Sequence, residues 1–261
     1  MLPLGHLVLL SFAGLLAGAM NSIAGGGSLV TFGAMLAIGI SPTLANTSSS
    51  VALVPGALGS LYAYRRDVSR KDPLLWILAG AGVVGGAIGA FLLLRSGDDL
   101  FARLVPWLLC GATLLFAFQG RVQKWLGAKP TDGDLPPAAG WRLWALFAFQ
   151  VVVATYGGYF GAGMGILMLS ALAFSGVRNL SRANGLKTVG AVAINSIAAA
   201  GFIWSGHVHW TAVGAITGGA ILGGFGGAFF ARKAPQQMVR SAIVVVGLVI
   251  TLISFWRLLT H

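Results

Sequence analysis

Two short polar motifs stand inside long apolar runs. The first is Ala-Asn-Thr-Ser-Ser-Ser at 45–50, and the second is Ala-Asn-Gly-Leu-Lys-Thr at 183–188. They supply amides, hydroxyls and one ammonium group, that of Lys187, with Asn195 two turns further along. An ionisable residue within an apolar run indicates a functional site, although a lysine near the end of a run can also extend to a membrane surface. For the hydroxyls the structural alternative is a hydrogen bond back to their own helix.

Two glycine-rich breaks interrupt other apolar runs. They are Asn-Ser-Ile-Ala-Gly-Gly-Gly-Ser at 21–28 and Gly-Gly-Tyr-Phe-Gly-Ala-Gly-Met-Gly at 157–165. Consecutive glycines end a helix and allow a ligand to approach the backbone. A helix that restarts there presents N–H groups and the positive end of its dipole, which favour anions. Glycines can instead serve only close helix packing; we expect packing for the five glycines between 80 and 89, and a binding site at the breaks.

The candidate site combines both kinds of motif and is predicted to bind an anion. The chain has six acidic residues and no Glu, and all six lie in connecting segments, so the apolar runs offer no carboxylate for a cation. We predict no catalytic residue, metal or cofactor; the His-x-His pair at 207 and 209 has too few ligands for a metal. The candidate binding residues are Asn21, Ser22, Gly25, Gly26, Gly27, Ser28, Asn46, Thr47, Ser48, Tyr159, Gly161, Gly163, Gly165, Asn184, Lys187, Thr188 and Asn195.

The composition places these motifs in a membrane protein. Of the 261 residues 57% are hydrophobic and 9% charged, and the mean hydropathy is +0.86. Soluble domains carry about 25% charged residues, so this chain could not cover a globule in water. The net charge of +11 lies in short loops, where cytoplasmic loops collect Lys and Arg, and therefore does not indicate nucleic-acid binding.

An internal repeat divides the chain into two halves. A shift of 138 residues places the Ala-Asn pair at 45 on the pair at 183, and the glycines at 85, 86 and 89 on those at 223, 224 and 227. We predict repeat 1 at 1–119, a polar cytoplasmic linker at 120–140 and repeat 2 at 141–261. Each half holds one interrupted apolar segment, 4–37 or 141–175, and three further apolar runs. These runs are 43–64, 73–94 and 101–119 in repeat 1 and 183–203, 211–231 and 237–258 in repeat 2.

Each interrupted segment could be a broken helix that spans the membrane or a re-entrant hairpin. Spanning segments give parallel halves, with nine Lys and Arg residues on one side and seven on the other. Hairpins give inverted halves with both termini outside, thirteen basic residues inside and three outside, which the positive-inside rule prefers. We therefore predict an all-α polytopic membrane protein of two inverted-topology repeats. Each repeat consists of a re-entrant or broken hairpin and three transmembrane helices, about eight membrane segments in total.

At these motifs the sequence resembles the sulfite exporter TauE/SafE family of membrane permeases. The matching stretches are 17–28, 45–47, 158–165 and 183–187, and the resemblance covers almost the whole chain outside the linker. It implies transport of sulfite, sulfonates such as sulfoacetate, or related small anions across the inner membrane. One departure is that Ser48 and Ser49 stand where repeat 2 has Leu186 and Lys187, so a shared site would be asymmetric.

The leading functional hypothesis is a secondary transporter for sulfite or a small organosulfonate, working by alternating access. A passive anion channel is the alternative, as is a carrier for other small organic or sulfur-containing anions. An enzyme is not indicated, because the apolar runs hold no acid–base pair and no nucleophile beside a base. We expect a multi-pass protein of the cell inner (plasma) membrane, with a substrate-borne coupling proton and a homodimer as candidate partners, and no nucleic acid.

Overall fold

The computed structural model describes residues 2–23, 25–118, 121, 140–177, 179–230 and 236–260. Most of the linker at 120–140 therefore lies outside the described residues. Within them the chain forms nine helices and no strand, which confirms the all-α prediction. The helices are α1 (Leu4–Ile23), α2 (Gly27–Ala37), α3 (Pro42–Ala63), α4 (Pro73–Ala117), α5 (Trp141–Tyr159), α6 (Met164–Phe174), α7 (Leu180–Trp204), α8 (Trp210–Phe230) and α9 (Gln236–Thr260).

Three described helices are long and apolar enough to cross a bilayer: Leu4–Ser22, Pro73–Ala117 and Leu180–Trp204. Large apolar side chains are exposed along α1, α4, α8 and α9, where a soluble protein would present polar groups. Both observations fit a membrane protein. Several shorter apolar helices accompany the three long ones.

Sequence signals set several helix ends as predicted. α3 begins at Pro42 after Ser41, and α4 begins at Pro73 after Asp72, whose carboxylate accepts a hydrogen bond from the Leu74 N–H at 3.0 Å. α4 joins two predicted runs in one element, but its backbone departs from helical geometry at Gly97, where φ is 69°. The chain can turn there because glycine tolerates positive φ. The predicted start at Ala234-Pro235 lies outside the described residues.

Both glycine-rich breaks end one helix and start another. α1 has 20 residues and α2 has 11, so α2 is about half as long as a bilayer core is thick. A Cβ atom built on Gly27 would lie 2.1 Å from the Ala17 carbonyl oxygen, so α2 starts beside α1 and not beyond its end. α5 and α6 repeat this arrangement with 19 and 11 residues, and the two also contact each other.

The helices pair between the halves in a reciprocal pattern. α1 packs on α8, and α5 packs on the first part of α4, its counterpart. Glycines make these contacts close: a Cβ on Gly85 would lie 2.4 Å from the Val151 carbonyl oxygen, and one on Gly223 would lie 2.0 Å from that of Leu15. Gly82, Gly86 and Gly89 also lie against neighbouring helices, whereas Gly80 has more room. The packing role expected for this group of glycines is thus confirmed for four of the five.

An ion pair joins a loop of each half. The Arg182 guanidinium donates to Asp72 Oδ2 through Nη2 at 2.7 Å and through Nε at 3.0 Å. Asp72 ends the α3–α4 connection and Arg182 stands at the start of α7. The side chains are 6% and 28% exposed, so this bridge is much better shielded than an ordinary surface pair. At the other end of α3, the His209 N–H donates to Ser48 Oγ at 2.8 Å, so the α7–α8 loop contacts the start of α3.

Candidate functional site between the hairpin tips

The turn between α1 and α2 and the turn between α5 and α6, here called the tips of the two hairpins, meet around a small cavity. A Cβ built on Gly25 would lie 3.4 Å from Gly165 Cα, so the two breaks are in contact. The adjoining cavity measures about 50 Å³, and side chains from α3 and α7 complete its walls. It is lined by Asn21, Gly25, Gly26, Ser28, Ser50, Leu53, Ala57, Ser60, Phe160, Gly161, Met164, Gly165, Lys187, Thr188, Ala191 and Asn195.

Lys187 places a positive charge in this cavity. The residue is 2% exposed, and its ammonium group donates one hydrogen bond, to the Asn21 carbonyl oxygen at 3.1 Å. That oxygen belongs to the last turn of α1, where the helix dipole is negative and a cation is favoured. No carboxylate forms an ion pair with Lys187 in the described part of the chain, where the one salt bridge joins Arg182 and Asp72. The side chain is therefore buried in the protein and does not extend to the surface.

Asn21 has a second role at the same tip. Its side-chain oxygen accepts a hydrogen bond from the Gly27 N–H at 2.8 Å, which satisfies one of the first donors of α2. Asn21 therefore lies in the last turn of α1, bonds through its side chain to the start of α2, and bonds through its carbonyl oxygen to Lys187 on α7. The left-handed backbone at Gly26, with φ 90°, permits the turn between the two helices.

The second tip repeats part of this design. Asn46 Nδ2 donates to the Tyr159 carbonyl oxygen at 2.9 Å, and Tyr159 corresponds to Asn21 under the shift of 138 residues. In each half the end of the first hairpin helix thus accepts a hydrogen bond from the other half. The donor is a neutral amide in one case and an ammonium group, Lys187, in the other. The two acceptors correspond under the shift, whereas the two donors do not, so the site is asymmetric in charge.

Two helix N-termini face the region of the tips. α2 starts after Gly26 and α6 after Gly163, both left-handed and without a side-chain cap of their own. The first N–H groups of a helix have no partner within it, and the positive dipole end lies there. Ser28 and Gly165, both cavity residues, belong to these first turns. Together with Lys187, the cavity offers cationic, amide, hydroxyl and N–H groups.

The structure brings nine of the predicted site residues to the cavity wall. They are Asn21, Gly25, Gly26, Ser28, Gly161, Gly165, Lys187, Thr188 and Asn195. Sequence reasoning missed Ser50 and Ser60, two hydroxyl residues of α3. Ser50 belongs to the polar motif at 45–50 and continues it by one turn from Asn46, so helical periodicity could have identified it.

The other predicted residues lie away from the cavity wall and have other contacts. Ser22 Oγ donates to the Gly224 carbonyl at 2.7 Å, Thr47 bonds back to its own helix, and Ser48 accepts from His209. Tyr159 shares a hydrogen bond with Ser96, and the backbone at Gly27 and Gly163 forms the helix starts. Asn184 is 3% exposed, and its Oδ1 has no hydrogen-bond partner among the described residues.

A family model confirms the family relationship that the motifs indicate. The model described as "Sulfite exporter TauE/SafE" matches residues 10–253. The chain belongs to this family. Its TauE/SafE relatives include a "Probable membrane transporter protein" of Haemophilus influenzae, 28% identical over 248 residues, which cover 94% of this chain and 92% of the relative. The "Probable membrane transporter protein YfcA" of Escherichia coli K12 is 30% identical, with 93% and 87% covered.

A third TauE/SafE relative, the "Probable membrane transporter protein ORF9" of Sinorhizobium, is 29% identical and is covered over 92% of its length. No solved structure matches the chain. The chain is therefore a multi-pass membrane protein of a family of transporters, and the expectation of a non-enzyme agrees with the names of its relatives.

Proposed function

We propose that this protein is a secondary transporter that carries sulfite or a small organosulfonate anion across the inner membrane by alternating access. The observation that carries the proposal is the buried Lys187 in a cavity whose described lining residues include no carboxylate, between two hairpin tips that start helices. A buried cation favours an anionic ligand, and helix N-termini add to it. The family description supplies sulfite as the first substrate to test.

The inverted arrangement of the halves belongs to the same proposal. In parallel halves, the loops at 65–72 and 176–182 lie on opposite faces of the membrane. The ion pair between Asp72 and Arg182 supports a shared face for these loops, as inverted halves require. The contact between Ser48 and His209 supports the same topology at the other face. Discontinuous helices that meet near the midplane of inverted repeats are a common site architecture in secondary transporters.

Cysteine labelling tests the topology, because the chain has a single native cysteine, Cys110. In a Cys110→Ser background we expect cysteines at the exposed positions Ser69 and Leu180 to react with an impermeant reagent from the cytoplasmic face. We expect His207→Cys to react from the outside. Labelling of positions 69 and 180 from opposite faces would refute the inverted repeats.

A passive anion channel is the second candidate, since the same charges would serve it. The cavity is small and is lined by residues of both hairpins, α3 and α7, which favours a carrier whose substrate contacts both halves. The same charged and polar groups would also suit a carrier for other small organic or sulfur-containing anions.

We also propose two partners, namely a proton carried by the substrate and a second copy of this chain in a homodimer.

Counterflow in proteoliposomes tests the function and the substrate class together. Vesicles loaded with unlabelled sulfite are challenged with trace labelled sulfite, and a panel of sulfonates and carboxylates competes outside. We expect saturable uptake that sulfonates inhibit more strongly than carboxylates. Uptake that carboxylates inhibit as well as sulfonates would overturn the substrate class, and flux without saturation or exchange would favour the channel.

A further inference from the structure

We infer that the cavity selects singly charged oxyanions, so that sulfite is carried as hydrogensulfite and brings its own proton. The inference rests on the proposed function and adds the charge class of the substrate to it. It is argued from the charges of the cavity and their burial, whereas the proposed function concerns the substrate class and the mode of transport.

Among the residues that the structure describes, the cavity wall has one ionisable side chain. Of these sixteen lining residues only Lys187 carries a formal charge, and the others contribute amides, hydroxyls, apolar groups and backbone. Its 2% exposure leaves little water to screen that charge. A singly charged anion beside Lys187 therefore forms a neutral pair. A doubly charged anion leaves a net negative charge in a poorly hydrated space, which is strongly unfavourable.

Charges on the surrounding helices do not supply a second cation. Arg182, one turn and a half before Lys187, is bound to Asp72 and belongs to the loop region. The titratable side chains near this depth on α5 and directly after α3 are Tyr156 and Tyr64, and neither can supply a positive charge. Tyr64 donates to the Ser22 carbonyl and Tyr156 to the Ala162 carbonyl, so neither hydroxyl is directed at Lys187.

The other ionisable residues of the neighbouring helices whose side chains the structure describes are not part of the cavity wall. They are His6 on α1, Tyr62 on α3, Arg95, Asp98, Asp99, Arg103 and Cys110 on α4, and Tyr159 on α5. The Tyr159 hydroxyl is bound to Ser96. Lys187 is therefore the group whose charge the substrate must match.

The volume of the cavity sets the size of the ligand. One water needs about 10–15 Å³ measured in this way, so a cavity of about 50 Å³ holds an ion of a few heavy atoms. Hydrogensulfite fits this space, as do sulfate and methanesulfonate, which have equal numbers of heavy atoms and the same tetrahedral shape. Sulfate and methanesulfonate therefore cannot be distinguished by size. They differ in charge, because sulfate is a dianion and methanesulfonate is a monoanion.

Proton balance follows from the chemistry of the sulfite dianion, which gains one proton near neutral pH and becomes hydrogensulfite. Hydrogensulfite binds, crosses and is released, and in a neutral compartment it then dissociates into sulfite and a proton. The proton thus moves on the substrate oxyanion, and no carboxylate in the membrane is needed. This agrees with the position of all six acidic residues outside the apolar runs.

Competition between methanesulfonate and sulfate provides the test. Both are added to wild-type proteoliposomes during labelled sulfite counterflow. We expect methanesulfonate to inhibit with an affinity about a hundredfold or more above that of sulfate, because a net charge buried in the protein costs several factors of ten in binding. Above neutral pH the apparent affinity for total sulfite should fall more steeply than that for methanesulfonate, because only sulfite itself loses a proton, whereas any change in the charge of Lys187 affects both anions alike.

Two substitutions at one position add a charge control. Asn195→Asp places a carboxylate in the cavity and neutralises the site, whereas Asn195→Ala removes the amide without adding charge. We expect Asn195→Asp to lower methanesulfonate affinity at least about tenfold more than Asn195→Ala does. Equal inhibition by sulfate and methanesulfonate, with sulfite exchange intact, would overturn the charge inference alone. Absence of all anion exchange by folded wild-type protein would overturn the proposed function.

Discussion

Replacing Lys187 with methionine should separate anion binding from stability. Methionine has a similar length and no charge, so Lys187→Met removes the ammonium group with little change in volume. The lost hydrogen bond to Asn21 contributes about 1.5–3 kcal/mol. Removing a buried charge also relieves a desolvation penalty of several kcal/mol. We therefore expect the variant to be as stable as the wild type or more stable.

The effect on binding should be large. An anion about 4 Å from the ammonium group gains about 4 kcal/mol at the effective dielectric constant typical of proteins. Each factor of ten in affinity corresponds to about 1.4 kcal/mol, so Lys187→Met should weaken sulfite binding roughly a thousandfold. Lys71→Met is the matched control, because it removes one positive charge from an exposed loop residue.

Calorimetric titration of sulfite into detergent-solubilised protein measures this effect, and thermal unfolding of the same samples reports stability. We expect Lys71→Met to bind as the wild type does. If Lys187→Met kept the wild-type dissociation constant while remaining folded, Lys187 would act only as a cap on α1 and the charge argument would fail. If Lys187→Met did not fold, the expected stability would be wrong. The sulfite affinity would then be compared between the wild type and Lys187→Gln.

Three further predictions concern the contacts that hold the site together. Asp72→Asn keeps a helix cap but breaks the ion pair with Arg182, and should lower the free energy of unfolding by about 2 kcal/mol. Thermal unfolding should show the same loss of stability for Arg182→Gln. The double variant should lose less than the sum of the two single losses, because both remove the same ion pair. Gly223→Ala should destabilise the protein by about 1–3 kcal/mol, because the added methyl group would clash with α1. Gly218→Ala is the control on the same helix: its methyl group would meet open space, so the change should be neutral or stabilising. Equal unfolding temperatures for the two variants would contradict this packing. Asn46→Ala removes the hydrogen bond to the second hairpin and should speed amide exchange at the residues that follow α5, and unchanged exchange there would count against its positioning role.

The sequence alone predicts where helices break, because the reason is local. Gly25, Gly26, Gly161 and Gly163 all adopt positive φ, and the glycine-rich motifs indicated breaks at these points. The caps at Ser41 and Asp72 are local in the same sense. Element boundaries therefore agree with the predicted segments to within a few residues, apart from the junction of two runs in α4.

Contacts between the halves could not be predicted residue by residue. The polar motif at 45–50 is continuous in sequence, but a helix turns its members to different sides. Asn46 therefore reaches the second hairpin, Thr47 bonds to its own helix, and Ser50 lines the cavity. The pairing of Lys187 with Asn21 likewise depends on how α7 packs near α1, which no local pattern encodes.

Counterflow of labelled sulfite by wild-type protein in sealed proteoliposomes is the decisive measurement for an anion carrier. We expect a transient accumulation of label above equilibrium, saturable with sulfite and strongly reduced in Lys187→Met vesicles that hold the same amount of folded protein. Flux that equilibrates without accumulation, or accumulation that is equal in both proteins, would contradict an anion carrier centred on the cavity between the hairpin tips.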